Sequence, residues 1–215
     1  MSNQEKISIS VIRRLPRYYR FLGRLKENGM SRISSGELAN RMGLTASQIR
    51  HDLNCFGGFG QQGYGYDVNR LHDEIGNILG LSNNYDAILI GVGNLGKAVA
   101  NHITFADRGF SLNAIFDKNP ALVGTQINGI EVQSTDGLKE YCEAKKPQAA
   151  FLCLPYEGVE PLAEILYNAG VRAFWNFSHF DLTLKYPDIV MENVHLTDSL
   201  MTLCYRMSEQ RDGEK

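Results

Sequence analysis

Six residues near the middle of the chain have the types and spacing of a phosphate-binding loop. The segment Gly91, Val92, Gly93, Asn94, Leu95, Gly96 follows an apolar run, AILI, and precedes a helical pattern, KAVANHI. Its three glycines permit a tight turn, a close approach of backbone to a pyrophosphate and close packing of helix on strand. Free N–H groups at the start of that helix favour anions. The pattern predicts a dinucleotide site.

An acidic residue stands where such a site needs one. Asp117 ends the predicted strand SLNAIF, 21 residues after Gly96. A carboxylate at this place binds the adenosine ribose 2′-hydroxyl and repels a 2′-phosphate, so we expect NAD(H) rather than NADP(H). Lys118 lies beside it and is included in the predicted cofactor site.

Further strands and helices alternate along the rest of the chain. Strands are predicted over residues 148–155, 171–178 and 188–196, with a helix over 160–170. This alternation is typical of a parallel α/β sheet, in which ligands bind at the carboxyl ends of strands. The nicotinamide pocket is therefore expected at Leu154, Pro155, Asn176 and Phe177, although sheet core is an equal interpretation of Phe177.

Residues that could catalyse hydride transfer are not arranged in a recognisable pair. His102, His179, His195 and Asp198 are candidate acids or bases, and about a hundred residues follow Asp117. An oxidoreductase needs an acid or base near the hydride and usually a substrate domain. We expect no catalytic residue and no metal site, with a small NAD-dependent oxidoreductase as the alternative.

The first 60 residues carry a different charge from the rest. Ten basic and four acidic side chains give this segment +6, and the net charge of −2 leaves −8 for the other 155 residues. A basic segment on an acidic body suggests an anionic partner, and a solvated basic surface is the other interpretation.

Helix signals divide this basic segment into a helix-turn-helix pattern. Pro16 starts a helix near Leu15, and two capping boxes, Ser34–Glu37 and Thr45–Gln48, open the next two. A short helix, a glycine turn and a capped second helix are typical of DNA-binding proteins, although trihelical modules also bind proteins. A fourth helix is predicted over residues 67–81.

The predicted DNA contacts follow from this motif. The second helix would enter the major groove, with Ile49, Leu53 and Phe56 facing the core. The glycine-rich stretch Phe56–Tyr66 predicts a wing, although an ordinary surface hairpin fits it too. The whole predicted DNA surface comprises Arg14, Arg17, Arg32, Ser34, Thr45, Ser47, Gln48, Arg50, His51, Gln61, Gln62 and Tyr64.

The remaining features set the class and domain organisation. Four scattered cysteines, no secretory signal and no membrane-length apolar run predict a cytoplasmic protein that spans no membrane. Residues 198–210 form an amphipathic helix that could cover its own sheet or a partner subunit. We expect a winged-helix domain over 1–81, a Rossmann domain over 82–196 and a dimerisation helix with tail over 197–215.

Together these motifs resemble the Rex family of bacterial redox-sensing transcriptional repressors. The match runs from RRLPRYYRFL through SSGELANRMGLTASQIRHDL, FGGFGQQGYGY and LIGVGNLG to ENVHLTDSL. The resemblance implies a homodimer with a swapped carboxyl-terminal helix, which binds a palindromic, AT-rich operator and releases it on binding NADH. A nucleotide- or CoA-binding module that recruits a protein is a further alternative.

The resemblance also implies switch residues and points to departures from the family pattern. Arg20 matches an arginine that some members use in a salt bridge between the two domains, and His102 and His195 replace Tyr and Asp of some relatives. Gln61 and Gln62 stand where a basic wing residue is frequent, which lowers the expected salt dependence of DNA binding. His51 likewise makes its predicted contact dependent on pH.

Overall fold

The computed structural model describes residues 7–61 and 64–213. The chain divides into two compact units, one ending at Asn83 and the other beginning at Asn84. We name them the amino-terminal unit and the sheet unit.

The amino-terminal unit is a winged helix-turn-helix, which confirms the predicted fold of this segment. Its three strands pair antiparallel in the order β1-β3-β2. Pro16 lies in the first turn of α2, as predicted, whereas α1 and β1 were not predicted. The elements are α1 (Ile9–Ile12), α2 (Leu15–Glu27), β1 (Arg32–Ile33), α3 (Ser35–Met42), α4 (Ala46–Asn54), β2 (Gly60–Gln61), β3 (Gly65–Asp67) and α5 (Val68–Ile78).

Each predicted capping box forms only by half. Ser34 Oγ accepts a hydrogen bond from the Glu37 N–H at 3.0 Å, and Thr45 Oγ1 accepts one from the Gln48 N–H at 3.1 Å. The return bonds were predicted wrongly. Glu37 pairs with Arg41 and Gln48 donates to Asp52, because a charged partner one turn along the helix makes a stronger bond than a backbone N–H.

One glycine allows the strands of the amino-terminal unit to pack closely. Gly65 has φ +70°, and a Cβ there would lie 2.5 Å from the Ile33 carbonyl oxygen. Only glycine permits both this conformation and this approach of β3 to β1. Of the two wing glutamines, Gln61 ends β2 and Gln62 lies outside the described residues.

A buried carboxylate joins α2 to α4. Asp52 is fully buried in the core that Leu15, Ile49 and Leu53 form. Its Oδ2 accepts from Arg14 Nε at 2.6 Å and from the Tyr18 hydroxyl at 2.7 Å, and its Oδ1 accepts from Arg14 Nη2 at 2.7 Å. Burial raises the pKa of the carboxyl, but these hydrogen bonds outweigh burial and the pKa lies below its ordinary value.

The sheet unit has Rossmann topology, as predicted. Six strands run parallel in the order β10-β9-β8-β4-β5-β7, and β6 pairs antiparallel with β7 at the edge. The elements are β4 (Tyr85–Ile90), α6 (Asn94–His102), β5 (Phe110–Asp117), β6 (Gln126–Ile127), β7 (Ile130–Ser134), α7 (Leu138–Lys145), β8 (Ala149–Leu152), α8 (Tyr156–Asn168), β9 (Ala173–Asn176), β10 (Val190–Asn193) and α9 (Leu196–Gly213).

Several boundaries of the sheet unit differ from the predicted ones. The helix predicted from residue 160 begins four residues earlier, at Tyr156, because Pro155 takes the N-cap position and Pro161 is accommodated inside α8. The strand predicted over 188–196 is confined to β10, and α9 starts two residues before its predicted beginning. The β6–β7 hairpin and α7 had no predicted counterpart.

The two faces of the sheet are covered unequally. One face packs against α7 and α8 through buried residues such as Leu138 and Ala163. The other face packs against α6 through Val99 and Ala100, and Trp175 on this side is only partly buried. Among the described helices, none has the length and apolar character needed to cross a bilayer.

The Asp52 pairing predicts a pH-dependent loss of stability on Arg14→Met. The substitution leaves a buried carboxylate with fewer donors, so we expect the unfolding free energy to fall by about 2–3 kcal/mol at pH 7. The depressed pKa makes this contribution complete above about pH 4, and it is lost as the pH falls through the lower pKa of the folded state. Urea-dependent hydrogen exchange of α4 measures both effects.

The matched control is Arg24→Met, which removes an exposed arginine from the same helix. It should change the exchange of α4 by less than about 0.5 kcal/mol. If the two variants changed the exchange of α4 equally at neutral pH, the ion pair between Arg14 and Asp52 would not stabilise the unit.

Candidate functional site

The glycine loop is built by backbone contacts that leave no room for side chains. Gly91 has φ +93°, and a Cβ there would lie 2.5 Å from the Cys153 carbonyl oxygen. A Cβ on Gly96 would lie 1.8 Å from the Gly91 carbonyl oxygen. The loops after β4 and β8 therefore touch at the point where the strand order reverses, which is where ligands bind in open α/β sheets.

Gly93, the middle glycine of the loop, lies in open space instead. A Cβ on Gly93 would meet nothing within 4 Å, and Gly93 is the N-cap of α6 with no side-chain capping bond. Gly93, Asn94 and Leu95 are exposed, whereas Val92 and Gly96 are buried. The first N–H groups of α6 have no intrahelical acceptor, so this exposed edge can bind an anion.

Asp117 joins the glycine loop to the next loop. Its Oδ2 accepts from the Val92 N–H at 2.7 Å and its Oδ1 accepts from the Asn119 N–H at 2.8 Å. The carboxylate is 8% exposed, and Lys118 beside it is exposed. Each carboxylate oxygen can accept more than one hydrogen bond, so a ribose hydroxyl can still bind here.

The residues predicted for the nicotinamide end differ in exposure. Leu154 is partly buried, and its Cδ2 is 2.9 Å from the position that a Gly91 Cβ would take. Pro155 is exposed at the N-cap of α8. The Phe177 ring packs edge-on against Trp175 at 4.5 Å, and Phe177 is only partly buried. Phe177 thus contributes to the core and keeps an accessible edge.

Asn176 is fully buried and its amide is used within the chain. Its Nδ2 donates to the carbonyls of Ser178 and Phe180 and to Asn193 Oδ1, at 2.8 to 3.2 Å. Its Oδ1 accepts from the N–H and the hydroxyl of Ser178. The side chain thereby holds the ends of β9 and β10 together, a role that the sequence pattern did not indicate.

A second group of predicted residues lies on the surface of α4. Thr45, Ser47, Arg50 and His51 are exposed, and Arg50 donates to Ser35 Oγ at 3.0 Å. Gln48 is half-buried, with its Nε2 2.7 Å from Asp52 Oδ1. The exposed face of α4 thus carries hydroxyl, guanidinium and imidazole groups that can contact base edges and phosphates.

The other predicted DNA contacts are engaged within the amino-terminal unit to different degrees. Arg14 pairs with Asp52, and Arg17 donates to the Met42 carbonyl, so both hold the helices of the unit together. Arg32 lies 5.8 Å from the centre of the Tyr64 ring, and Tyr64 is 70% exposed. Ser34 is exposed, but its hydroxyl caps α3.

Sequence reasoning missed the structural role of Asp52. The signal was present, because Asp52 lies on the same helical face as Ile49 and Phe56, which were predicted to face the core. A carboxylate on an apolar face requires buried donors. Arg14 and Tyr18, four residues apart on one helix face, supply them.

An open groove on the α6 side of the sheet lies next to strands β8–β10. Its volume is about 570 Å³, and it is lined mostly by aromatic and aliphatic residues. The lining residues are His102, Ile103, Phe105, Arg108, Phe110, Ala149, Phe151, Ala173, Phe174, Trp175, Val190 and Glu192. Every described side chain of helix α9 is exposed, including apolar ones such as Leu200, which is 65% exposed. These apolar side chains could fill an apolar groove of this kind.

Comparison with known proteins places both units in one family. Residues 6–54 match the family described as "Putative DNA-binding protein N-terminus", and residues 82–180 match the CoA binding domain family. A redox-sensing transcriptional repressor Rex of Thermoanaerobacter pseudethanolicus is 50% identical over 98% of this chain and 93% of its own. The Rex of Clostridium botulinum strain Hall is 49% identical over 94% of this chain and 96% of its own.

The chain belongs to the Rex family of redox-sensing transcriptional repressors. Solved Rex-family structures agree with this assignment. RSP in complex with β-NAD+ and operator DNA is 47% identical and has a TM-score of 0.88, covering 97% of this chain and 96% of that one. RSP in complex with β-NADH is 45% identical, again with a TM-score of 0.88 and 97% of both chains covered.

The residues predicted to act as a switch in this Rex-family chain lie in distinct surroundings. Arg20 is exposed on α2 of the amino-terminal unit, and His102 lines the groove of the sheet unit. His195 Nε2 lies 3.3 Å from the Ser178 carbonyl oxygen and its Nδ1 lies 3.5 Å from Asp198 Oδ2. His195 therefore has one carboxylate neighbour, Asp198, three residues along the chain.

The steric contrast within the glycine loop predicts different effects of two alanine substitutions. Gly96→Ala places a Cβ against the Gly91 carbonyl and should abolish NADH binding and lower the melting temperature of the sheet unit. Gly93→Ala meets nothing, so the melting temperature should stay unchanged while NADH binding weakens about tenfold, because the methyl obstructs the pyrophosphate. NADH fluorescence titration and differential scanning calorimetry measure the two effects.

The control is Gly137→Ala, at an exposed glycine after β7 where a Cβ also meets nothing. It should bind NADH as the unsubstituted chain does. Wild-type affinity in Gly93→Ala would contradict the placement of the phosphates at the N-terminus of α6.

Proposed function

We propose that this chain is an NADH-responsive transcriptional repressor, which binds operator DNA through its amino-terminal unit and NAD(H) through its sheet unit. The observation that carries the proposal is the presence of a winged helix-turn-helix and a Rossmann phosphate loop in one chain that matches Rex relatives over nearly its whole length. The complexes of RSP with β-NAD+ and operator DNA and with β-NADH support both ligands.

The cofactor would lie along the carboxyl edge of the sheet. Its pyrophosphate would bind the N–H groups of Asn94, Leu95 and Gly96, and its adenosine ribose would bind Asp117. Its nicotinamide would extend toward Leu154, past Pro155 and Phe177. We assign Asn176 the role of supporting this end of the pocket, because its amide is already fully hydrogen-bonded.

The DNA surface would centre on α4 and the wing. Thr45, Ser47, Arg50 and His51 would meet base edges or phosphates in the major groove. Arg32 and Tyr64 would extend this surface at the wing. Arg14 and Arg17 would act mainly by fixing the helices, since their guanidinium groups are engaged within the unit.

Two copies of the chain would form the functional dimer. Helix α9 exposes an apolar stripe that includes Leu200, Leu203 and Met207, and the groove beside Trp175 is open and apolar. Burial of such a stripe on a second copy removes both exposed surfaces from water. A two-fold dimer also fits a palindromic, AT-rich operator, with half-sites about one helical turn apart.

The mechanism would be a shift between two arrangements of the dimer. NADH can release the operator only if it favours one arrangement more than NAD+ does, since equal binding to both shifts nothing. The uncharged dihydronicotinamide is less costly to bury in an apolar pocket than the charged oxidised ring. A change of several ångströms in the distance between the two α4 helices of the dimer would prevent them from binding both half-sites at once.

We further propose that the chain is not an enzyme. His195 pairs loosely with Asp198, but its other ring nitrogen faces the Ser178 carbonyl and is not directed at an open site. A repressor of bacterial operators would act in the cytoplasm. The match of residues 82–180 to the CoA binding domain family favours one second candidate, a sensor that binds a CoA derivative in the same loop.

Operator release should distinguish the two dinucleotides. Fluorescence anisotropy of a labelled AT-rich palindrome should show binding without ligand and with NAD+, and release by NADH at the same concentration. Release by CoA alone would support the second candidate. Equal release by NADH and NAD+ would contradict redox sensing, and turnover of NADH with a carbonyl substrate would contradict the absence of enzymatic activity.

Charged substitutions in the proposed dimer contact should yield monomers. Leu200→Asp in α9 and Val190→Asp in the groove each place a charge in a contact that is apolar in the dimer. Sedimentation velocity should report the monomer mass for both variants. Thr202→Asp, on the opposite face of α9, is the control and should stay dimeric. A dimer in all three would exclude this contact.

A further inference from the structure

We propose that Gln48 reads an adenine in the major groove and that Asp52, buried behind it, fixes the orientation of its amide. This inference rests on the proposed DNA binding and names one base contact and its positioning residue. It goes beyond the expectation that Gln48 is one of several DNA-contacting side chains of the amino-terminal unit.

The contact between the two side chains determines which end of the amide faces inward. Gln48 Nε2 lies 2.7 Å from Asp52 Oδ1, within one turn of α4. A carboxylate only accepts hydrogen bonds, so the amide must present its nitrogen to Asp52 and not its oxygen. The orientation of the Gln48 amide is therefore set by chemistry.

The carboxylate itself cannot move. Asp52 is fully buried, Arg14 binds it through two nitrogens, and the Tyr18 hydroxyl donates to the same oxygen as Arg14 Nε. Both residues belong to α2 or its N-cap, so they anchor Asp52 to a second helix. Gln48 is thus held against a fixed point in the core of the unit.

The part of Gln48 that remains free matches one base. The amide nitrogen of Gln48 carries two hydrogens, one on the same side as Oε1 and one on the opposite side. If the hydrogen opposite Oε1 is donated to Asp52, Oε1 and the remaining N–H lie side by side and are free to bind a base. Adenine presents an N6 donor beside an N7 acceptor in the major groove, and glutamine pairs with both. Guanine presents two acceptors there, one of which would face Oε1 and be rejected.

The neighbouring side chains are not held against a buried charge. Ser47 is exposed, and Arg50 donates to Ser35 on α3. A side chain that is already oriented loses less conformational freedom on binding. An amide that could flip would also accept the wrong base, so the bond to Asp52 adds discrimination as well as affinity.

The test measures discrimination at each base pair. The full-length chain first selects a palindromic duplex from a randomised pool in the presence of NAD+. Competition anisotropy then gives the affinity for every symmetric single base-pair variant of that duplex. The proteins compared are wild type, Gln48→Ala, Asp52→Asn, the double variant and the control Asn40→Ala, which removes an exposed amide on α3 outside the proposed DNA surface.

We expect wild type to reject G·C in place of A·T at one step of each half-site by about tenfold or more. Gln48→Ala should lose this discrimination at that step alone. Asp52→Asn should weaken it at the same step, because either end of the Gln48 amide can then face Asn. The double variant should equal Gln48→Ala, and Asn40→Ala should keep the discrimination.

Uniform weakening over all base pairs in Gln48→Ala, or unchanged discrimination at every step, would overturn the proposal. If Asp52→Asn weakened the affinity for every duplex variant equally, Asp52 would only stabilise the fold, and its role in orienting Gln48 would be excluded. Thermal melting of the amino-terminal unit identifies an unfolded Asp52→Asn, and Gln48→Ala, a partly exposed position, then decides alone. Failure of wild type to bind any duplex would instead refute the proposed function.

Discussion

The sheet unit depends on a steric constraint at the crossing of two loops. The Gly91 carbonyl oxygen occupies the space that a Cβ on Gly96 would need, and the Cys153 carbonyl does the same at Gly91. These contacts bring α6 close to β4 and direct its first N–H groups to the carboxyl edge of the sheet. The bond from the Val92 N–H to Asp117 then ties the phosphate loop to the adenosine side. A dinucleotide site follows from this packing before any ligand binds.

The amino-terminal unit depends on a polar contact instead. A buried carboxylate is costly unless it is fully hydrogen-bonded, and Asp52 accepts bonds from Arg14, Tyr18 and Gln48. The same bonds set the rotation of α4 relative to α2 and so decide which of its side chains are exposed. Arg14, which was predicted as a DNA contact, therefore holds α4 in place through Asp52.

Much of the fold could be predicted because local signals and tertiary contacts agree. The glycine spacing before KAVANHI, the caps at Ser34 and Thr45, and Pro16 each specify an element that the structure contains. The partner of Asp52 and the bonds of Asn176 could not be predicted, since they join residues whose proximity depends on the packed fold. The return halves of the capping boxes failed for a local reason, because Arg41 and Asp52, one turn along the same helices, compete for Glu37 and Gln48. The exposure of α9 is visible only once the rest of the chain is packed.

The central claim is that the dinucleotide in the glycine loop changes the spacing of paired recognition helices. Cys55 is exposed next to the end of α4, and Cys204→Ser removes the other exposed thiol. Burial raises the pKa of Cys142 to about 11 and that of Cys153 to about 12, so both react slowly. Double electron–electron resonance between spin labels on Cys55 of the two copies in the proposed dimer then reports the spacing directly. We predict distance distributions that differ by several ångströms between NADH and NAD+; identical distributions with both dinucleotides bound would contradict the account.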